Sequence, residues 1–213
     1  MEKSLEELDE ANIELSKSLL KIHDSLAVYS IIGLNASRIK KGRIYFGFVQ
    51  QQQVELIAIG FTKVFEQEKA YRLNSIPSIL RFIEQYDFVP TDPHAVSNYL
   101  GQWKNNKGEP WTHDLQTMLD SRYSKYKSDI GRIKEARNTH IAHSQAGSPR
   151  KDLPSVAVFQ DLLALAVGFH DFINSAFINT HSHPILTDTR VQTSLVNVLR
   201  GIGVSDVVTT WPA

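Results

Sequence analysis

Residues 156–177, "VAVFQDLLALAVGFHDFINSAF", limit the architecture more than any other stretch. At helical spacing Val156, Phe159, Leu163, Ala166, Ile173 and Phe177 fall on one face. Val158, Leu162, Leu165, Phe169 and Phe172 fall on another. A helix apolar almost all round needs other helices around it, so this one, opened by Pro154, belongs at the centre of a bundle. It is also the closest approach to a membrane span, but Asp161, His170 and Asp171 break the apolar run of roughly 20 residues that a span needs. His170 lies on the apolar stripe and reads as a satisfied core histidine rather than a catalyst.

The same periodicity predicts the surrounding helices. Leu5, Leu8, Ile13 (or Asn12), Leu15, Leu19, Ile22 and Leu26 mark a first helix over about 4–32, and Val54, Ile57, Ala58, Phe61, Val64 and Phe65 a second over about 43–68. Ser75 or Ser78 with Pro77 starts a third, Asp92 with Pro93 a fourth, and Thr112 caps a fifth that runs to about His143 or Ser144. Val191, Leu195, Val198 and Ile202 mark a short last helix. No strand alternation and no 20–50-residue repeat interrupts this pattern. The expectation is an all-α helical bundle of long up-and-down helices over 1–180, followed by a C-terminal loop, short helix and tail over 181–213.

Bulk composition removes several function classes. The 213 residues contain no cysteine, which excludes disulfides, thiolate metal sites and cysteine nucleophiles. Lys plus Arg and Asp plus Glu are equal at 23 each, so attraction to nucleic acid or an anionic surface must come from local patches. The acidic, amphipathic N-terminus lacks the pattern of a signal peptide, and the expected setting is the cytoplasm with no membrane partner. There is no glycine-rich phosphate loop, no G-x-S-x-G and no convincing carboxylate pair.

The fifth helix carries the chemistry. Leu115, Leu119, Tyr123, Tyr126, Ile130, Ile133 and Ile141 project within about 40° of one direction, and Arg137 sits on that line between Ile133 and Ile141. A guanidinium on a core face costs several kcal/mol unless it is paired or faces a polar cleft or interface. His140 lies about 60° to one side and His143 about 60° beyond it, while Asn138 points about 100° the other way, where it can cap, pair or orient a neighbour. Between residues 122 and 151 eight Lys and Arg side chains stand against Asp129 and Glu135 alone, including Arg132, Lys134, Arg150 and Lys151, the candidates for nucleic-acid contact. Two bland alternatives stay open: Arg137 paired with an acid while the histidines cap the helix end, or a solvated basic face. A metal site of His140 and His143 with His181 or His183 is the weakest reading, since no H-E-x-x-H or carboxylate-rich helix supports it. Trp103 and Trp111 flank a loop and read as anchors before base-stacking platforms.

"RNTHIAH" resembles the signature of the HEPN superfamily, an Arg and a polar residue followed after a short spacer by His, here Arg137, Asn138 and His143. Its spelling, with "IYFGFVQQQQVELIAIGFTKVFEQEKAYRLNSIPSIL", resembles the abortive-infection, AbiU-like branch over roughly residues 40–180. The resemblance implies a bundle that dimerises through its motif helices, bringing two Arg/His pairs into one cleft. It implies a metal-independent endoribonuclease acting as a toxin or antiviral effector without a cofactor, or else an inactive relative serving as a binding or regulatory module. In the nuclease His143 would do acid/base work, Arg137 would stabilise the phosphate, Asn138 would position phosphate or His143, and His140 would assist. A nucleotidyltransferase antitoxin is the partner the resemblance suggests.

Overall fold

A computed structural model describes residues 2–67, 75–101, 110–138, 153–178 and 185–209. Among these residues the protein is all-α, with no strand. The helices are α1 (Glu2–Leu34), α2 (Arg43–Val64), α3 (Ile76–Gln85), α4 (Pro93–Leu100), α5 (Trp111–Ala136), α6 (Val156–Ile173) and α7 (Arg190–Gly201).

As its sequence demands, α6 is the central helix. Leu162, Ala166, Phe169 and Ile173 are each fully shielded from solvent. A π turn, Asn174–Ile178, extends it. By length and mean hydropathy Val156–Ile178 would suffice to cross a bilayer, and half of its most apolar window is buried inside the bundle. The start differs from expectation: Ser155, not Pro154, caps the helix, its Oγ accepting from the Val158 N–H at 3.4 Å. A hydroxyl can satisfy an orphan N–H of the first turn, which proline cannot.

α1 lies against α6. Asn12 rather than Ile13 takes the inward position, 2% exposed against 46%, and Leu5 is exposed as well. Asn12 can be buried because its Nδ2 donates to Asn174 Oδ1 at 2.8 Å, and Asn174 Nδ2 in turn lies 3.3 Å from His170 Nε2. The Nδ1 of His170 is 3.0 Å from Asp171 Oδ1, so this histidine is the satisfied core residue expected.

α2 runs antiparallel to α1. Gln50 Nε2 donates to the Tyr29 carbonyl at 3.2 Å, and at Gly60 a Cβ would stand 2.5 Å from Ile22 Cγ1, so only glycine allows the helices this close. At the start of α2 Gly42 adopts φ 72°, in the left-handed region. Ser75 caps α3 and Asp92 caps α4, each with proline in the first turn. α5 begins one residue before Thr112, at Trp111, with extended Pro110 preceding it; Thr112 lies inside the first turn and is not the cap.

A second, smaller core forms where α7 meets the end of α1: Ile31, Ile32, Ile39, Phe46, Leu199 and Val204. Asn35 closes it. Its Nδ2 donates to the carbonyls of Ile31 and Val208 at 2.8 Å each, and its Oδ1 accepts from the Val208 N–H at 3.0 Å.

The Tyr99 ring stacks on Phe172 at 4.5 Å, and its buried hydroxyl has no hydrogen-bond partner among the described residues. Burial pushes this phenol up to about 12. The folded value lies above the unfolded one, so its contribution is fully present below about pH 10 and is lost as the pH rises through about 12. Tyr99→Phe is therefore expected to be neutral or stabilising at pH 7 and to remove an alkaline loss on the order of 2–3 kcal/mol. Thermal midpoints from pH 8 to 12 test this; parallel curves for both proteins would refute it.

Candidate functional site

α5 buries Leu115, Met118, Leu119, Ile130, Ile133 and Ala136, and Arg137 follows directly. Arg137 and Asn138 continue the helix as a wide π turn. The Arg137 backbone remains right-handed helical, and its N–H reaches the carbonyls of Ile133 and Lys134. Among the described residues of this helix the last buried position goes to Ala136, and the Arg137 side chain is left 35% exposed. It is neither sealed in the core nor free in solvent.

Two groups hold it. Asn138 folds back so that its Oδ1 accepts from Arg137 Nε at 3.0 Å and Nη2 at 2.9 Å. From the chain just after α2, Glu66 places Oε2 3.7 Å from Arg137 Nη1 and Oε1 3.2 Å from Lys134 Nζ. Glu66 is itself fixed, because its carbonyl accepts from the Ser75 hydroxyl at 2.8 Å. Asn138 uses two of the five N–H donors of a guanidinium, and the Glu66 contact is an ion pair too long for a hydrogen bond. Among the described residues, donors therefore remain for an incoming anion.

Glu66 was not among the residues singled out from sequence. The demand for an acid opposite Arg137 was legible; which acid, 71 positions earlier, was not. The charge of the region changes accordingly. Glu66 pairs with Lys134, Asp129 lies 2.8 Å from Arg132 Nη2, and Asp161 of α6 accepts from the Tyr126 hydroxyl at 2.8 Å. Other elements thus bring acids to the basic helix that a count along α5 omits.

The remaining candidates divide simply. His140, His143, Arg150, Lys151, His181, His183 and Trp103 lie outside the described residues. Trp111 packs on Phe177 at 5.6 Å and Phe172 at 6.3 Å, which makes it a core anchor. Among the described residues no three His, Asp or Glu side chains gather as a metal site. Near Glu66 the Tyr123 hydroxyl is held above the usual phenol range, first by burial and then by the Glu66 charge.

A family model for AbiU2, a HEPN group, matches residues 5–191. The chain belongs to the HEPN AbiU2 family. The match spans α1 to the start of α7, wider than the 40–180 covered by the motif and its preceding helix. The chain has no match among curated proteins or among solved structures. In this AbiU2-family protein the Arg and Asn of the signature are therefore joined directly, side chain to side chain, at the end of α5.

Proposed function

We propose that this HEPN abortive-infection protein is an endoribonuclease that cuts RNA without a metal ion. The observation that carries the reading is Arg137, a half-exposed guanidinium braced by Asn138 with donors to spare. A group fixed before substrate arrives loses little freedom when it grips two phosphate oxygens.

In the reaction, His143 takes the proton from a ribose 2′-hydroxyl, and the 2′-oxygen attacks phosphorus. Arg137 offsets the charge gathering on the non-bridging oxygens. The bond to the 5′-oxygen breaks as an acid protonates the leaving oxygen, giving a 2′,3′-cyclic phosphate and a 5′-hydroxyl. Imidazole suits either proton transfer near neutrality. A second copy of the chain would supply a second Arg137/His143 pair, the protein would act in the cytoplasm as a toxin or antiviral effector, and a nucleotidyltransferase antitoxin would restrain it. RNA incubated with the protein and excess chelator tests the chemistry: cyclic phosphate ends support it, and uncut RNA, or cutting that needs metal, refutes it.

Glu66 favours a second reading, a binding or regulatory module in which Arg137 and Lys134 stay occupied. The two readings converge on one expected result. Glu66→Gln removes the one negative charge shared by the two cations, so affinity for a 2′-O-methyl RNA, which cannot be cut, rises and its salt dependence steepens by about 0.7 in log K against log salt. Stability falls by no more than about 1 kcal/mol, since the pairs are partly solvated. Fluorescence anisotropy at several salt concentrations measures this; an unchanged affinity and slope would show that Glu66 does not gate the surface.

A further inference from the structure

Between the end of α2, α3 and α5 lies a cavity of about 340 Å³, at the small end of the range for ligand sites. One wall is the partly exposed Tyr123 ring, backed by the buried Phe65 ring 6.1 Å behind it and inclined at 55°. Leu80 and Leu119 add apolar surface, so a flat, unsaturated ring is the natural occupant.

The polar lining is more specific. Arg81 of α3 and Asp120 of α5 line the same cavity, with Gln116 one turn before Asp120 on the same face of α5. Arg81 is tethered, its Nη2 donating to Ser78 Oγ at 3.2 Å, and Ser78 Oγ lies 2.9 Å from the helix cap Ser75. A simple anion is repelled by Asp120 and a simple cation by Arg81. The pair suits a neutral ring that offers acceptors on one edge and donors on the next. Guanine does so: O6 and N7 accept from arginine, and N1–H and the 2-amino group donate to a carboxylate. Adenine presents one acceptor and one amino group on the edges concerned and satisfies neither partner fully.

Leu165 belongs to this cavity and also to a neighbouring notch that contains Arg122 and Lys125. Lys125 Nζ stands 4.9 Å over the Tyr126 ring, and Arg122 lies 6.0 Å over Tyr99. A base in the cavity would thus have cations beside it for its own phosphate.

We propose that this cavity is a guanine-binding subsite, with Tyr123 against the ring, Arg81 at O6 and N7, and Asp120 at N1–H and the 2-amino group. It rests on the RNA reading above for its role. Glu66, 3.7 Å from Arg137, stands in the chain between Phe65 and Gln67 of the cavity lining, so the base read here lies close to the phosphate at Arg137. The ligand is either a guanine within RNA or a free guanine nucleotide, two sources of the same chemistry.

Calorimetric titration of the full chain tests the subsite without any cleavage. Guanosine monophosphate should bind at least about tenfold more tightly than adenosine monophosphate, and inosine monophosphate, which lacks the 2-amino group, should lose most of that margin. Asp120→Asn should erase the preference with the thermal midpoint unchanged, since Asp120 is exposed. Equal affinities, no binding of any of the three, displacement by inorganic phosphate alone, or a preference that survives Asp120→Asn would overturn the proposal. A 2′-O-methyl trinucleotide containing one guanine separates the sources: tighter binding than the mononucleotide assigns the subsite to RNA, and weaker binding to a free nucleotide. Loss of the guanine preference with cleavage intact removes the subsite alone; guanine preference without cleavage removes only the nuclease.

Discussion

Arg137→Ala is expected to lower RNA cleavage by about 10²–10³-fold, the usual loss when one preorganised donor to a developing oxyanion is removed. His143→Ala should cost about 10²–10⁴-fold through loss of proton transfer. The Arg137 variant should keep its thermal midpoint within a few degrees, because the side chain is partly exposed and Glu66, itself 19% exposed, keeps its ion pair with Lys134. Arg137→Lys should restore only part of the rate: an ammonium supplies charge but not the planar fork that holds two oxygens. A residue serving only to brace α5 against Glu66 would behave in reverse, losing stability while cleavage by the folded fraction stays normal. Rates and melting curves measured on the same samples separate the two, and an Arg137→Ala protein that cuts RNA at the wild-type rate would end the assignment.

Phe61→Ala should be the most damaging change in the core. Phe61 is 1% exposed and stacks between Phe159 at 5.6 Å and Phe65 at 6.2 Å, both rings nearly parallel to it. Truncation removes the buried ring and leaves a cavity that tightly packed helices cannot fill, at a cost of about 3–5 kcal/mol. In a chain of this size that lowers the melting temperature by roughly 6–20 °C. The effect should spread to the site, since Phe65 is held between Phe61 and Tyr123 and is followed directly by Glu66. Phe48→Ala is the control: it lies on the same helix but is 61% exposed, and its change should stay within about 0.5 kcal/mol. Similar melting temperatures for the two variants would contradict this account of the core.

The architecture was legible in the sequence because it rests on local periodicity. The stripes of α1, α2, α5 and α6 predicted which side chains turn inward, and Ser75 and Asp92 carried their own capping chemistry. Where expectation failed, neighbouring residues competed for one role. Ser155 rather than Pro154, and Trp111 after Pro110 rather than Thr112, set helix starts that only backbone angles distinguish. Between Ile13 and Asn12 the sequence left the choice open, and Asn174, 162 positions away, decides it by bonding Asn12. The site followed the same division. Arg137 stood out from its own helix, whereas Glu66 and the presence of Arg81 and Asp120 in the lining of one cavity arise from packing between helices, which no local pattern records.

The grip of Asn35 on Val208 also makes α2 a ruler. The clamp sits beside Phe46, near the first turn of that helix, whereas Glu66 lies just past its last, roughly 30 Å away along the axis. A fluorophore at Val208 would therefore stand well clear of Glu66, and a second label beside Glu66 would make the pair an energy-transfer gauge. Unfastening the tail with Asn35→Ala would change that reading without a change in any group at the far end of the rod.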